Sequence, residues 1–153
     1  MEKLITLACT VISGVLVYVI YDVVKEIWII PLQEYKVIKK KVSYTLTILA
    51  AYYANPIDLK ELTLDQAKPY REAATNMRVV ASELRAFIER ISWLRIGIPD
   101  KNRIYEASRL LIGLSNSFFT PYGMIGRSGD QAVRNEDTVH KVRELLNLHL
   151  YEE

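Results

Sequence analysis

Charged residues are absent from a long N-terminal stretch of the chain. Between Lys3 and Asp22 every residue is uncharged, and most are aliphatic. A helix rises about 1.5 Å per residue, so Leu4 to Tyr21 reaches roughly 27 Å, close to the roughly 30 Å hydrocarbon core of a bilayer. Apolar residues resume after Asp22 and include Trp28. The pattern predicts a transmembrane anchor within residues 1–31, with Tyr21 and Trp28 near one headgroup layer.

Apolar positions in the remainder of the chain recur in steps of three and four, as in amphipathic helices. Four such stripes begin at Tyr35, Tyr70, Ile104 and Val139. Amphipathic helices bury these stripes against one another. We therefore predict an all-α protein, in which the transmembrane helix continues into a cytosolic up-and-down four-helix bundle formed by residues 32–153.

Local signals predict where these helices begin and are interrupted. Thr63 to Gln66 has the pattern of a capping box, and Asp100 and Asn135 are predicted N-caps of the two following helices. Pro69 has no N–H to donate and predicts a kink near the start of the second bundle helix. Three glycines and a proline predict a long loop from Thr120 to Arg134.

The distribution of lysines predicts the orientation of the anchor. Basic residues are scarce before the span and frequent after it, and such flanks stay in the cytoplasm. We therefore expect the N-terminus outside and the C-terminal domain in the cytosol. Juxtamembrane basic residues attract anionic lipid at ~1 kcal/mol each. The lipid-facing basic cluster consists of Lys36, Lys39, Lys40 and Lys41. Nucleic-acid binding is not expected, because no broad basic face or reading motif is present.

Small and polar residues lie along one broad face of the predicted span. Thr6, Thr10 and Gly14 belong to this face, and Thr10 and Gly14 form a small-xxx-small pair. Such faces let helices pack closely in a membrane. This pattern predicts a homo-oligomer formed through the span, and the alternative is a monomeric anchor.

The apolar turn after the second bundle helix is a candidate interfacial loop. In an up-and-down bundle this turn returns to the membrane, where tryptophan and aliphatic side chains are favoured. Its candidate residues are Trp93, Ile96 and Ile98. The alternative is that these side chains close the end of the core.

The loop after the third bundle helix is a candidate surface for an unknown protein partner. It would lie at the membrane-distal end, and long loops of this kind are often functional. Its candidate residues are Phe119, Tyr122, Met124 and Ile125. The alternative is that they cap the core.

Residues with catalytic or metal-binding chemistry do not form a recognised constellation. Cys9 is the sole cysteine and lies in the predicted span. Glu136, His140 and Glu144 share one face of the last helix, where a solvated charged surface is favoured over a metal site. We therefore expect a non-enzymatic protein with no cofactor.

Three arginines recur every seven residues beside the apolar stripe of the second bundle helix. They are Arg71, Arg78 and Arg85. We expect them to pair with carboxylates of the bundle, and the alternative is that they receive an anionic ligand or partner.

Four short strings together resemble a family of short, uncharacterised bacterial proteins with one N-terminal span and a helical cytosolic region. They are PLQEY at 31–35, YANP at 53–56, ASELRA at 81–86 and LIGLSNS at 111–117. The resemblance implies a bacterial inner membrane and assigns no activity.

The expected function is that of a membrane-anchored adaptor, sensor or regulator that binds protein or lipid. The alternative is a membrane-acting effector, of a phage-defence or toxin-like kind, that oligomerises through its span and perturbs the inner membrane. The anchor, the small residues of the span and the apolar loops are compatible with both hypotheses.

Overall fold

The computed structural model describes residues 1–58, 63–91, 96–120 and 128–148, and within them the protein is all-α. The helices are α1 (Glu2–Val24), α2 (Ile30–Ile48), α3 (Ala50–Ala54), α4 (Leu64–Arg90), α5 (Lys101–Asn116) and α6 (Ser128–Leu145), with a π-helical segment (Lys25–Ile29) between α1 and α2. Two dipeptides, β1 (Ile57–Asp58) and β2 (Phe119–Thr120), pair in parallel with Ile57 opposite Phe119.

Helix α1, the π-helical segment and α2 follow one another without interruption. By length and composition this is a helix able to span a membrane. Every described side chain of α1 is exposed. The apolar surface of α1 is therefore not used in the core of the described domain.

The π-helical segment ends two residues before Pro31, which lies at the beginning of α2. A proline inside a helix lacks an N–H and its ring crowds the carbonyl four residues earlier. π-helical turns are rare and occur mostly as single turns within α-helices. Here the π-helical segment lies directly before the turn that contains Pro31, and the helix continues through Pro31, which is buried.

The predicted apolar stripes form one core. Tyr35, Ile38, Val42 and Leu49 are buried on α2 and its C-terminal boundary. The buried stripe members on the other helices are Ala73, Met77, Val80, Leu84, Phe87, Ile91, Ile104, Ala107, Leu111, Leu114, Phe118, Val139, Val142 and Leu146. The helical periodicity of these segments is thus confirmed. The first bundle stripe is divided, because α2 ends before Leu49 and α3 begins after it.

The predicted caps at Thr63 and Asp100 are confirmed, and α4 and α5 begin directly after them. Thr63 Oγ1 accepts from Gln66 N at 3.4 Å, and Gln66 Oε1 accepts from Thr63 N at 3.1 Å, which completes the capping box. Asp100 Oδ1 accepts from Asn102 N at 2.8 Å at the start of α5. Helix α4 continues through Pro69, which lies in its second turn, and the kink there stays a prediction.

The predicted N-cap at Asn135 is wrong. Helix α6 already begins at Ser128, and the Asn135 side chain is only 2% exposed. Its Nδ2 donates to the Tyr53 carbonyl at 2.8 Å, and its Oδ1 accepts from Gln131 at 3.0 Å. Asn135 therefore links α6 to α3 from within α6 and does not cap a helix. The predicted loop 120–134 is correspondingly wrong over 128–134.

Polar contacts define which ends of the helices meet. The start of α2 contacts the end of α4 through Glu34 and Arg90, whose side chains are 2.6 Å apart. The start of α2 also contacts the end of α6, because Tyr35 Oη donates to the Leu146 carbonyl at 2.8 Å. Glu106 on α5 pairs with Lys141 on α6 at 2.8 Å. The end of the domain that follows α1 therefore contains the C-terminal parts of α4 and α6.

Candidate membrane-proximal site

The junction between α1 and α2 contacts the turn that follows α4. The indole Nε1 of Trp28, in the π-helical segment, donates to the Ile96 carbonyl at 3.0 Å. Trp28 is half-buried, so one side of the ring packs while the other meets the surroundings. A tryptophan with an apolar body and a satisfied N–H suits a membrane–water boundary.

The turn itself is shaped by Gly97. Its φ of +83° is in the region that favours glycine, and an added Cβ would lie 3.2 Å from Leu32 Cδ1. Close approach of the turn to the first residues of α2 therefore requires both the conformation and the small size of Gly97. This brings Ile96 and Ile98 to the end of the domain where α1 is attached.

The candidate residues of the interfacial loop differ in their surroundings. Ile96 is 57% exposed, whereas Ile98 is 8% exposed and belongs to the hydrophobic core. For Ile98 the structure thus agrees with the core-closing alternative, and Ile96 is the residue available for outside contacts. Trp93 lies outside the described residues.

The four lysines of the basic cluster are not equivalent. Lys36 and Lys40 are exposed, and their side chains form no hydrogen bond or ion pair with another described residue. The Lys39 ammonium donates to the Asn147 carbonyl, and Lys41 forms an ion pair with Glu83. Lys36 and Lys40 therefore carry the charge that remains free of described partners, whereas Lys39 and Lys41 also connect α2 to α6 and α4.

The residues of the predicted span are on an exposed helix. Thr6 Oγ1 donates to the Glu2 carbonyl at 3.0 Å, and Thr10 Oγ1 donates to the Thr6 carbonyl at 2.9 Å. A Cβ added at Gly14 would meet nothing within 4 Å, and Tyr21 is exposed. The side chain of Leu4 lies outside what the structure describes. Self-association of this face stays a prediction.

The predicted distal surface is described only at Phe119. This residue is half-buried and packs against the core. The centroid of its ring lies 6.4 Å from that of Tyr70, and the two ring planes are tilted relative to each other. Tyr122, Met124 and Ile125 lie outside the described residues. For Phe119 the structure thus agrees with the alternative in which these residues cap the core.

Two of the three arginines selected on α4, Arg78 and Arg85, have partners other than the predicted carboxylates. Arg78 donates to Ser115 Oγ at 3.1 Å and to Asn116 Oδ1 at 2.7 Å. Arg85 lies 4.8 Å from the ring centroid of Tyr105. That prediction is wrong for these two residues, because α5 offers hydroxyl, amide and aromatic groups along the same seam. Within the described ranges no group of three His, Cys, Asp or Glu residues is placed to hold a metal ion.

The bond between Trp28 and Ile96 was missed by the sequence reasoning, although each residue was selected separately. They are 68 positions apart, and nothing in the local pattern joins them. The chain matches no known protein-family model, curated protein or solved structure. Its function is therefore inferred from its own residues.

Proposed function

We propose that this is a single-span protein of a bacterial inner membrane whose helical domain acts as a non-enzymatic adaptor, sensor or regulator at the cytosolic surface. The observation that carries the proposal is the uninterrupted passage from exposed, apolar α1 into core helix α2. An anchor joined in this way holds the domain at a defined distance from the bilayer. Any partner of the domain is thereby recruited to the membrane.

The domain in this proposal is an up-and-down bundle of α2, α4, α5 and α6. This topology is supported by contacts between the start of one helix and the end of its neighbour. Glu34 near the start of α2 pairs with Arg90 at the end of α4, and Arg103 near the start of α5 donates to the Glu144 carbonyl near the end of α6 at 2.7 Å. This arrangement puts the turn at Ile96 on the membrane side and the α3 end on the distal side.

Lipid binding at the membrane side is the first contact that we propose for the domain. Ile96 offers exposed apolar surface, and Lys36 and Lys40 offer exposed positive charge. Exposed apolar and basic side chains each favour the headgroup region of an anionic membrane. Half-buried Trp28 lies at the same end of the domain, where it bonds to the Ile96 carbonyl.

The experiment compares spin labels at two positions in the full chain, reconstituted in anionic nanodiscs. Cys9→Ser first removes the sole cysteine. A label at Ile96→Cys should be shielded from a water-soluble relaxation agent and reached by oxygen. The matched control is Val133→Cys, which is 60% exposed on α6 and lies toward the α3 end. Equal accessibility of both labels to the water-soluble agent would remove the lipid contact from the proposal.

The alternative, a membrane-acting effector, is favoured by one observation. All described side chains of α1 are exposed, so the face with Thr6, Thr10 and Gly14 is open to other copies of the span. Induced expression should then depolarise cells, and Gly14→Leu should reduce both oligomer formation and depolarisation by separating the helices. Unchanged membrane potential after expression of the wild-type protein would exclude the effector function.

A further inference from the structure

A cleft of about 340 Å³ separates the C-terminal half of α5 from the N-terminal half of α6. Arg109 and Arg134 line it, together with the hydroxyl-bearing residues Ser117 and Thr138. Its described lining includes amides and hydroxyls but no carboxylate. The Ser117 and Thr138 hydroxyls already donate to the carbonyls of Leu114 and Arg134, both at 2.8 Å. The two guanidinium groups are therefore the donors that the cleft offers to an oxyanion.

The two arginines differ from most others in the described part of the domain. Arg78, Arg90 and Arg103 each have a hydrogen bond or an ion pair. Arg109 and Arg134 are exposed, and their side chains form no hydrogen bond or ion pair with another described residue. Their guanidinium groups are therefore available to a ligand without first breaking a contact within the described ranges.

The nearest acidic side chain on α5 is already engaged. Glu106 lies one turn before Arg109 and pairs with Lys141 at 2.8 Å. The hydrogen bond and charge of Lys141, with a smaller contribution from Arg109, lower the pKa of Glu106. Glu106 thus forms its ion pair with Lys141, and Arg109 acts on it only as a weaker neighbouring charge.

Gly113 forms part of the cleft and is not explained by the fold. It lies inside α5, where glycine weakens a helix relative to alanine. Its φ is not positive, and a Cβ added there would meet nothing within 4 Å. Neither the backbone nor the packing requires glycine here. Its effect is to leave the backbone uncovered in a cleft that both arginines also line, which suits a ligand that approaches closely.

We propose that this cleft binds a phosphate-bearing solute, with Arg109 and Arg134 contacting the phosphate above Gly113. The planar guanidinium donates two parallel hydrogen bonds to phosphate oxygens, and two such groups on facing helices hold one phosphate from both sides. The site goes beyond the proposed membrane function and does not depend on it.

The experiment follows amide signals of the full chain by NMR in a maltoside detergent, which contains no phosphate. Inorganic phosphate is added against chloride at constant ionic strength. We expect saturable shifts at Gly113 and its neighbours and none at Gly97, which lies at the other end of the domain. Arg109→Gln and Arg134→Gln should each weaken binding about tenfold, because each removes charge-assisted hydrogen bonds.

Two further variants separate charge from shape. Gly113→Leu keeps both arginines but fills space in the cleft that they line, and it should abolish the shifts while the helical circular dichroism is retained. Arg71→Gln removes an exposed arginine from another cleft, on α4, and should leave the affinity unchanged. An equal loss of phosphate affinity in Arg71→Gln would mean that the net charge of the protein, and not this cleft, determines the binding.

Three results would overturn the proposal. They are the absence of saturable shifts, an unchanged affinity in the Arg109→Gln/Arg134→Gln double variant, or an unchanged affinity in Gly113→Leu. A lipid source is tested by comparing nanodiscs of phosphatidylglycerol with nanodiscs of phosphatidylcholine. In the proposed arrangement the cleft lies away from the membrane, so the signal of Gly113 should be the same in both before phosphate is added. A shift that appears only with phosphatidylglycerol would identify a lipid headgroup as the ligand and overturn the proposal of a solute.

Discussion

Two glycines illustrate opposite constraints at the scale of single residues. Gly97 has a φ of +83° and little space beside Leu32, whereas Gly113 is helical and open. Gly97→Ala should therefore reduce the free energy of unfolding by about 1–2 kcal/mol. Gly113→Ala should raise it by about 0.5–1 kcal/mol, because alanine is the better helix former.

Denaturant unfolding of the full chain in detergent, followed by circular dichroism, measures both changes. The two glycine variants serve as controls for each other, since each adds one methyl group. A shift in the same direction for both would mean that backbone conformation does not distinguish these positions.

Asn135 is a buried polar residue whose side chain hydrogen-bonds to the Tyr53 carbonyl and to Gln131. Asn135→Ala leaves the Tyr53 carbonyl without its side-chain donor, and we expect a loss of about 1–3 kcal/mol in the free energy of unfolding. Asn76→Ala is the control, because Asn76 is exposed within α4 and experiences the same gain in helix propensity. Thermal unfolding that is equal in the two variants would exclude a structural link between α3 and α6 through Asn135.

At the scale of elements, the prediction concerns the link between the π-helical segment and the turn after α4. Trp28→Phe keeps an aromatic ring but removes the donor to the Ile96 carbonyl, which is worth about 0.5–1.5 kcal/mol. Hydrogen exchange at the amides of Ile96 to Ile98 should accelerate by up to about tenfold. Tyr21→Phe, an exposed change on α1, should leave these amides unaffected. Unchanged exchange in Trp28→Phe would show that the turn is held by packing alone.

For the whole molecule, the distribution of lysines predicts on which side of the membrane the domain lies. A reporter that is active only in the cytosol, fused after Glu153, should give signal, because Lys36 to Lys41 oppose transfer across the membrane. The control is the same reporter fused before Met1, which should be silent. Signal from the N-terminal fusion alone would reverse the orientation and the cytosolic function with it.

The sequence by itself determined the features that depend on neighbours within a few positions. The apolar stretch of α1, the buried stripes of α4 and α5, and the caps at Thr63 and Asp100 all follow from local spacing and hydrogen bonding. A helical stripe repeats every turn, so its buried side can be read without knowing what covers it. The same holds for a cap, whose donor and acceptor are at most three residues apart.

Only the tertiary structure decided which distant groups meet. The acidic residues after Asn135 suggested that it caps a helix. In the structure it is buried against α3 and donates to the Tyr53 carbonyl. Arg78 could have paired with several carboxylates, but the packing of α5 on α4 offered Ser115 and Asn116. The cleft at Gly113 likewise exists only because α5 and α6 lie side by side. These contacts depend on how helices approach each other, and local periodicity carries no information about that approach.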